Sequence, residues 1–174
     1  MRHTKIQTIE GDITQMPADA LITAINSGGL WFGGIDSAIQ RVAGEMYHTQ
    51  ASQASPLQNL QTILAKGTGK HRGQFRDVVF VVDDLESPLN DVVYTGLDAA
   101  SNERYQQVLV PTIRMGVMAG LREKTPQEAI GKMALGVRNF LDKYAQSTKL
   151  EDIKFVVYNN PNLANSMSAV LGKI

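Results

Sequence analysis

The chain contains no cysteine, which excludes disulfide bonds, thiolate zinc sites and a cysteine nucleophile. It also has no excess charge, because 17 acidic side chains balance 17 basic ones, so its overall electrostatics predict neither nucleic-acid nor membrane binding. No apolar run approaches the ~20 residues that span a bilayer, and the N-terminal stretch MRHTKIQTIEGD lacks a signal peptide's apolar segment. Together these absences predict a cytosolic protein.

What is present predicts a single domain over residues 1–174. Apolar residues make up 43% of the chain and charged residues 20%, as in ordinary globular proteins. Segments of strand and helix character alternate along it. Strands are predicted at 5–10, 19–26, 60–67, 77–84, 106–113 and 152–159, and helices at 36–47, 87–102, 125–147 and 160–173. This alternation predicts an α/β fold whose largely parallel sheet carries helices on both faces.

The clearest helix signal lies at 125–147. Thr125 is the expected N-cap, Pro126 the first helical residue, and Glu128 the third member of a capping box. Residues 48–60 are predicted to form a loop or a loose helical turn. The three histidines, His3, His48 and His71, then fall in a tail and two loops without metal-ligand spacing, so neither a metal nor a cofactor is predicted.

Two glycine-containing loops, 27–35 and 114–124, follow predicted strands and lead into helices. Ligands of parallel sheets bind beyond the carboxyl ends of strands, and a glycine loop before a helix offers backbone N–H groups to an anion. Spacing alone leaves loop 27–35 with two interpretations, a phosphate site or a tight strand-to-helix turn. The segment GTGKHRG (67–73) fits no phosphate-binding glycine motif and is predicted to be an exposed basic turn.

Four segments resemble the macro domain family, whose members bind ADP-ribose and in some branches hydrolyse its esters. They are EGDIT (10–14), TAINSGGLWFGGIDSAIQRVAG (23–44), VLVPTIRMGVMAG (108–120) and IKFVVYN (153–159), and they occur in the family's order. The resemblance implies a three-layer α/β/α macro-domain fold with a mixed, largely parallel sheet. It also implies a cleft for ADP-ribose or a related nucleotide, with an ADP-ribosylated protein as a further partner.

The resemblance implies a role for each matched residue. Asp12 would accept a hydrogen bond from the adenine amino group, and Ile13 would donate its backbone N–H to the ring. Asn26 would contact the distal ribose, and Asp36 would orient or activate water in hydrolytic branches, so these two are the candidate catalytic residues. The other expected ligand contacts are Gly33, Gly34 and Ile35 on one side of the diphosphate, Arg114, Met115, Gly116, Val117 and Met118 on the other, and Tyr158 to Asn160 near the adenine.

Each of these key polar residues also has a purely structural interpretation. Asp12 is of a type common in turns, Asn26 is a common turn former at a strand end, and Asp36 suits a helix N-cap. Asp36 can serve as a cap and a catalyst at once. The functional assignment therefore depends on the joint order and spacing of the residues.

The sequence departs from the family pattern at Thr23, Trp31, Phe32, Gln40, Asp83, Asp84, Arg114, Met115 and Met118. Trp31 and Phe32 replace two glycines and either form a lid over the ligand, contacting the distal ribose or diphosphate, or fill the cleft and block it. Arg114 replaces a serine and either contacts the diphosphate or points to solvent. Gln40 stands where one hydrolytic branch has a histidine, although Asp36 keeps a water-activating route open.

Three functions follow from the sequence. The first is a module that binds ADP-ribose or a related ADP-ribosyl metabolite. The second is a hydrolase of ADP-ribosyl esters, ADP-ribose 1″-phosphate or O-acetyl-ADP-ribose that uses Asp36 and Asn26. The third is a divergent macro fold with an occluded cleft that serves as an interaction protein.

Overall fold

The computed structural model describes residues 4–28 and 34–174. Within these ranges the strands form one sheet: β1 (Lys5–Glu10), β2 (Ala18–Ile25), β3 (Thr62–Ala65), β4 (Phe75–Val82), β5 (Gln107–Val110) and β6 (Asp152–Val157). Their order across the sheet is β1-β6-β5-β2-β4-β3. The pair β3 and β4 is antiparallel and the other pairs are parallel. This confirms the predicted mixed, largely parallel sheet.

Helices cover both faces of the sheet. They are α1 (Gly34–Ala43), α2 (Met46–Gln53), α3 (Leu89–Asn102), α4 (Pro126–Tyr144) and α5 (Pro161–Leu171). One apolar cluster joins the sheet to α3, α4 and α5, and a second joins it to α1 and α2. Strand β2 serves both clusters because its side chains alternate, with Ile22 in the first and Leu21 in the second. The three-layer prediction is therefore confirmed. No helix in the described ranges is both long and apolar enough to cross a membrane.

The predicted limits of the helix at 36–47 are wrong. Helix α1 begins two residues earlier and ends at Ala43, where Gly44 takes a left-handed φ of 61°. A second helix, α2, then occupies residues 48–53 of the stretch 48–60, which was predicted as a loop or loose helical turn. Glycine at such a position ends a helix cheaply because it has no Cβ to clash. Helix α2 lacks a broad aliphatic stripe and buries Tyr47 and His48 instead, so the hydrophobic pattern did not reveal it.

At the start of α4, the predicted N-cap is confirmed, but the predicted capping box is wrong. The Thr125 hydroxyl accepts a hydrogen bond from the Glu128 N–H at 3.1 Å, as predicted. The Glu128 carboxylate, however, accepts from the Lys124 N–H at 3.1 Å and not from the Thr125 N–H. The side chain therefore reaches one residue further back than a capping box requires, and it ties loop 114–124 to the helix.

Two glycines in α4 give a matched test of helix packing. A Cβ added at Gly136 would lie 2.7 Å from the carbonyl oxygen of Asn90 and 3.0 Å from Cβ of Val93, both in α3. A Cβ at the exposed Gly131 would have no neighbour within 4 Å. We expect Gly136→Ala to lower the free energy of unfolding by about 1–3 kcal/mol. We expect Gly131→Ala to raise it by roughly 0.5–1 kcal/mol because alanine favours the helix. Urea denaturation measures both, and equal effects would contradict the close packing of α3 on α4.

Candidate functional site

A cavity of about 420 Å³ opens at the carboxyl edge of the sheet. It lies at the boundary between β2 and β5, where the strand order changes direction and parallel sheets place their ligands. Its volume falls within the roughly 300–1,000 Å³ of small-molecule sites. Segments after β1, β2, β4, β5 and β6 all contribute to its wall. The lining residues used below are Asp12, Ile13, Thr23, Gly34, Ile35, Asp36, Arg41, Asp83, Leu85, Arg114, Gly116, Val117, Met118 and Tyr158.

The Asp12–Ile13 wall follows β1 directly. Oδ1 of Asp12 accepts hydrogen bonds from the backbone N–H of Thr14 at 3.0 Å and from its hydroxyl at 2.8 Å. This carboxylate caps a 3-10 turn over Ile13–Gln15, so its structural interpretation is confirmed. Asp12 is nevertheless exposed and lines the cavity beside the buried Ile13. Its expected contact with adenine stays a prediction that the turn geometry permits.

The loop between β2 and α1 is described only at its two ends. Trp31, Phe32 and Gly33 lie outside the described residues, so both interpretations of the aromatic pair stay predictions. Gly34 and Ile35 line the cavity and form the first turn of α1, which places a helix N-terminus at the cavity. Asn26 is half-buried just beyond β2 and is not among the described residues that line the cavity.

Asp36 is a buried carboxylate at the cavity wall. It lies in the first turn of α1, after the helix has begun, so its predicted role as N-cap is wrong. The residue is 2% exposed, and its Oδ1 lies 3.2 Å from Nε2 of His48. A carboxylate held in this way can orient a water molecule or accept its proton. His48, placed in a loop from the sequence, is instead a buried residue of α2.

Arg114 departs from both of its predicted roles. Its side chain is 2% exposed, and its guanidinium donates to Asp83 at 2.6 and 2.9 Å and to Glu123 at 2.8 and 3.1 Å. It also donates to the carbonyl oxygen of Ser87 at 2.8 Å. Because of these contacts, the guanidinium does not point to solvent, and its N–H groups are already used within the protein and not directed at a diphosphate. Arg114 lines the cavity as part of a buried ion-pair network.

This ion-pair network explains two departures from the family pattern together. Asp83 stands where the family has glycine, and Arg114 stands where it has serine, and the two side chains pair with each other. Glu123 completes the set and accepts a hydrogen bond from the Leu89 N–H at the start of α3. The network therefore fastens loop 114–124 to the turn between β4 and α3, which fixes one wall of the cavity.

The ionisation of the network follows from its contacts. Burial raises the pKa of Glu123, but hydrogen bonds from Arg114 and from the Leu89 N–H outweigh it and hold that pKa below its ordinary value of 4.5. Burial lowers the pKa of Arg114, and the hydrogen bonds to Asp83 and Glu123 outweigh that effect and raise it. Arg114 and Glu123 are therefore both charged at neutral pH, and the Arg114 guanidinium lies between the carboxyl groups of Glu123 and Asp83.

The remaining predicted ligand residues separate into two groups. Gly116, Val117 and Met118 line the cavity, as does Tyr158. Met115 and Asn160 do not; they line a second cavity of about 500 Å³ on the far side of loop 114–124. Met115 packs against the apolar cluster of α3–α5, and Oδ1 of Asn160 accepts a hydrogen bond from the Leu163 N–H at 3.1 Å as the N-cap of α5. The structure thus contradicts their predicted place in the ligand cleft.

Arg41 and Leu85 are among the residues of the cavity wall that sequence inspection did not assign to the site. Arg41 follows Asp36 by five residues on α1 and is exposed beside the cavity. Leu85, with a left-handed φ of 62°, lines it from the turn after β4. Arg41 could have been found from the helical spacing, whereas no sequence signal marks Leu85. In the described part of the chain, no group of three or more His, Asp or Glu side chains is arranged to hold a metal ion.

Curated proteins similar to this chain include two kinds of enzyme. ADP-ribose glycohydrolase MACROD1 of Mus musculus is 28% identical over 148 residues, which cover 80% of this chain and 45% of the mouse protein. The chain therefore spans about half the length of this relative. O-acetyl-ADP-ribose deacetylase of Escherichia fergusonii is 28% identical over 169 residues, which cover 91% of each chain. No protein-family model matches the chain.

Solved structures show the same fold. A macrodomain of Trypanosoma brucei in complex with ADP-ribose superposes with a TM-score of 0.79 at 22% identity, covering 94% of this chain and 68% of that one. The Oceanobacillus iheyensis macrodomain with ADP superposes with a TM-score of 0.75 at 18% identity, covering 99% of this chain and 95% of that one. At these sequence identities, the structural likeness shows the fold alone, that is, a shared arrangement of strands and helices.

Proposed function

We propose that the chain is a divergent member of the macro domain family and that it binds ADP-ribose or a related ADP-ribosyl metabolite. The observation that carries the proposal is the cavity at the carboxyl edge of the sheet. Asp12 and Ile13 lie at the wall expected to meet adenine, and Asp36 lies at the wall expected to meet the distal ribose. An ADP-ribosyl group carried on a protein presents the same chemistry and is included in the proposal.

The charges of the cavity indicate how a diphosphate would be held. Arg114 is already paired with two carboxylates, so it offers little free positive charge to an anion. Gly34 and Ile35 instead place the N-terminus of α1 at the cavity, where backbone N–H groups and the helix dipole favour an anion. Gly116 faces the same space from loop 114–124. We therefore expect backbone donors to supply most of the diphosphate contacts.

Gly116→Leu tests this cavity directly. A Cβ at Gly116 would meet nothing within 4 Å, so the fold tolerates a side chain there while the leucine occupies ligand space. By calorimetric titration we expect wild-type protein to bind ADP-ribose with a micromolar Kd. We expect the variant to bind about tenfold or more weakly, because the side chain displaces favourable ligand contacts. Gly131→Leu is the matched control on α4 and should bind like wild type. Wild-type protein that gives no heat and no thermal shift with millimolar ADP-ribose would contradict the proposal.

The occluded-cleft alternative is tested at Trp31, the single tryptophan of the chain. If the aromatic pair forms a lid, ADP-ribose should produce a saturable change in Trp31 fluorescence. A flat fluorescence trace together with no thermal shift would favour the occluded cleft instead. A Phe32→Gly variant that gains ADP-ribose affinity would point the same way.

A second function, hydrolysis, is favoured by the buried Asp36 carboxylate at the cavity wall. For O-acetyl-ADP-ribose, the oxygen of a water molecule bonds to the acetyl carbon and the bond to the ribose oxygen breaks. One water proton ends on that ribose oxygen and the other is released to solvent, so the products are acetate and ADP-ribose. Asp36 would orient the water molecule and accept its proton transiently. The predicted contact of Asn26 with the distal ribose would require Asn26 to reach the cavity, whose described wall does not include it. Protein-linked ADP-ribosyl esters are further candidate substrates for this step, and ADP-ribose 1″-phosphate, a phosphate monoester, is a candidate for hydrolysis at a different bond.

A further inference from the structure

His48 is a buried histidine that no sequence pattern marked as functional. It follows Asp36 by 12 residues and lies on the next helix, and the left-handed turn at Gly44 brings the two helices together. The residue is 1% exposed. Its ring contacts Phe80 of β4, with the ring centroids 5.3 Å apart at an angle of 51°. This packing restricts the orientation of the imidazole ring.

The contact between His48 and Asp36 is specific to one nitrogen. Nε2 of His48 lies 3.2 Å from Oδ1 of Asp36, and both side chains are almost fully buried. An ionised carboxylate only accepts hydrogen bonds, so this contact is a hydrogen bond in the histidine tautomer that carries its proton on Nε2. Gln40, which stands where one hydrolytic branch has a histidine, donates to Glu45 at 3.0 Å.

We propose that His48 is a positioning residue for Asp36, and this proposal rests on the hydrolase function above. The Nε2–H donor holds Oδ1, which fixes the carboxylate plane at the cavity wall and thereby the direction from which Asp36 meets a water molecule. The histidine reaches Asp36 from α2, whereas the side-chain amide of Gln40, on the same helix as Asp36, donates to Glu45. His48 itself is not expected to touch the ligand, because it does not line the cavity.

Two substitutions of similar polarity distinguish positioning from simple packing. The amide nitrogen of glutamine can occupy the place of Nε2, whereas the shorter asparagine reaches only the place of Nδ1. We therefore expect His48→Gln to keep kcat for O-acetyl-ADP-ribose hydrolysis within about threefold of wild type. We expect His48→Asn to lower kcat about tenfold or more, with KM and the Kd for ADP-ribose unchanged in both. His71→Asn is the control, because His71 contacts Tyr47 and lies outside the cavity wall.

The outcomes separate this proposal from the hydrolase function. Equal kcat values for the glutamine and asparagine variants, with active wild type, would overturn the positioning role alone. Wild-type protein that binds ADP-ribose without turnover would overturn hydrolysis and the positioning role with it. Because the variants can fail to fold, imidazole ¹⁵N spectra of the wild type give an independent readout. A protonated Nε2 whose resonance shifts in Asp36→Asn supports the proposal, and an unprotonated Nε2 overturns it.

Discussion

Replacing Arg114 by leucine is expected to lower the free energy of unfolding by about 3–5 kcal/mol, because it strands two buried carboxylates. Asp83 and Glu123 would lose their cation while remaining buried, and the Ser87 carbonyl oxygen would lose a donor. Urea denaturation monitored by circular dichroism measures the loss at neutral pH. We expect Arg114→Lys to give an intermediate loss, because lysine keeps the charge but cannot form the bidentate contacts.

Arg122→Leu is the matched control for this prediction. Arg122 lies on the same loop, is exposed, and donates to the carbonyl oxygen of Leu85 at 3.1 Å. We expect its replacement to change the unfolding free energy by no more than about 0.5 kcal/mol. If the two leucine variants were equally stable, the network would not hold loop 114–124 as described.

The same network has a pH dependence of known sign. Because folding lowers the pKa of Glu123 below 4.5, the stability it contributes is fully present above pH 4.5. That contribution is lost as the pH falls through the lowered pKa in the folded protein. We therefore expect the stability difference between wild type and Arg114→Leu to shrink in acid, and a difference that grows there would contradict this assignment.

Asp36→Ala is expected to lower kcat for O-acetyl-ADP-ribose by about 100-fold or more, the usual scale of general acid–base catalysis. The Kd for ADP-ribose should stay within about threefold of wild type, because the diphosphate is held by backbone donors elsewhere in the cavity. Asp36→Asn keeps the size of the side chain and should lose kcat similarly, which separates the charge from packing against His48.

Asp142→Ala is the control for this substitution. Asp142 is an exposed carboxylate on α4 and lies away from the cavity wall. Its removal should leave kcat unchanged. Full deacetylation activity in Asp36→Ala, with the control also active, would contradict a catalytic role for Asp36 and leave binding as the function of the cavity.

The sheet could be predicted from the sequence because its strands carry strong local signals. The alternation in β1 and the apolar runs of β2 and β4 need no knowledge of tertiary structure. Helix α2 could not be predicted, since its burial of Tyr47 and His48 depends on how Gly44 turns the chain. The Asp36–His48 pair was missed for the same reason.

Parts of the site followed the family pattern and parts did not. Asp12, Ile13 and Asp36 line the cavity because they directly follow strand ends or begin α1. The Asp83–Arg114 pair spans 31 residues and forms only once the sheet has set β4 and β5 on either side of β2. Asp83 and Arg114 both depart from the family pattern and carry opposite charges, so the sequence did contain a sign that they form an ion pair. Nothing in the sequence showed that Met115 would turn away from the cavity.

The pairing of β1 with β6 affects the order in which the protein is completed during translation. Among the described strands, β1 has β6 as its hydrogen-bonded neighbour, and β6 is the last strand to be synthesised. Such distant pairing is slow to form because a long loop must close first. Asp12 and Ile13 follow β1, so their side of the cavity is finished after the Asp36 side. A nascent chain halted before residue 152 would therefore carry half of a ligand site on the ribosome.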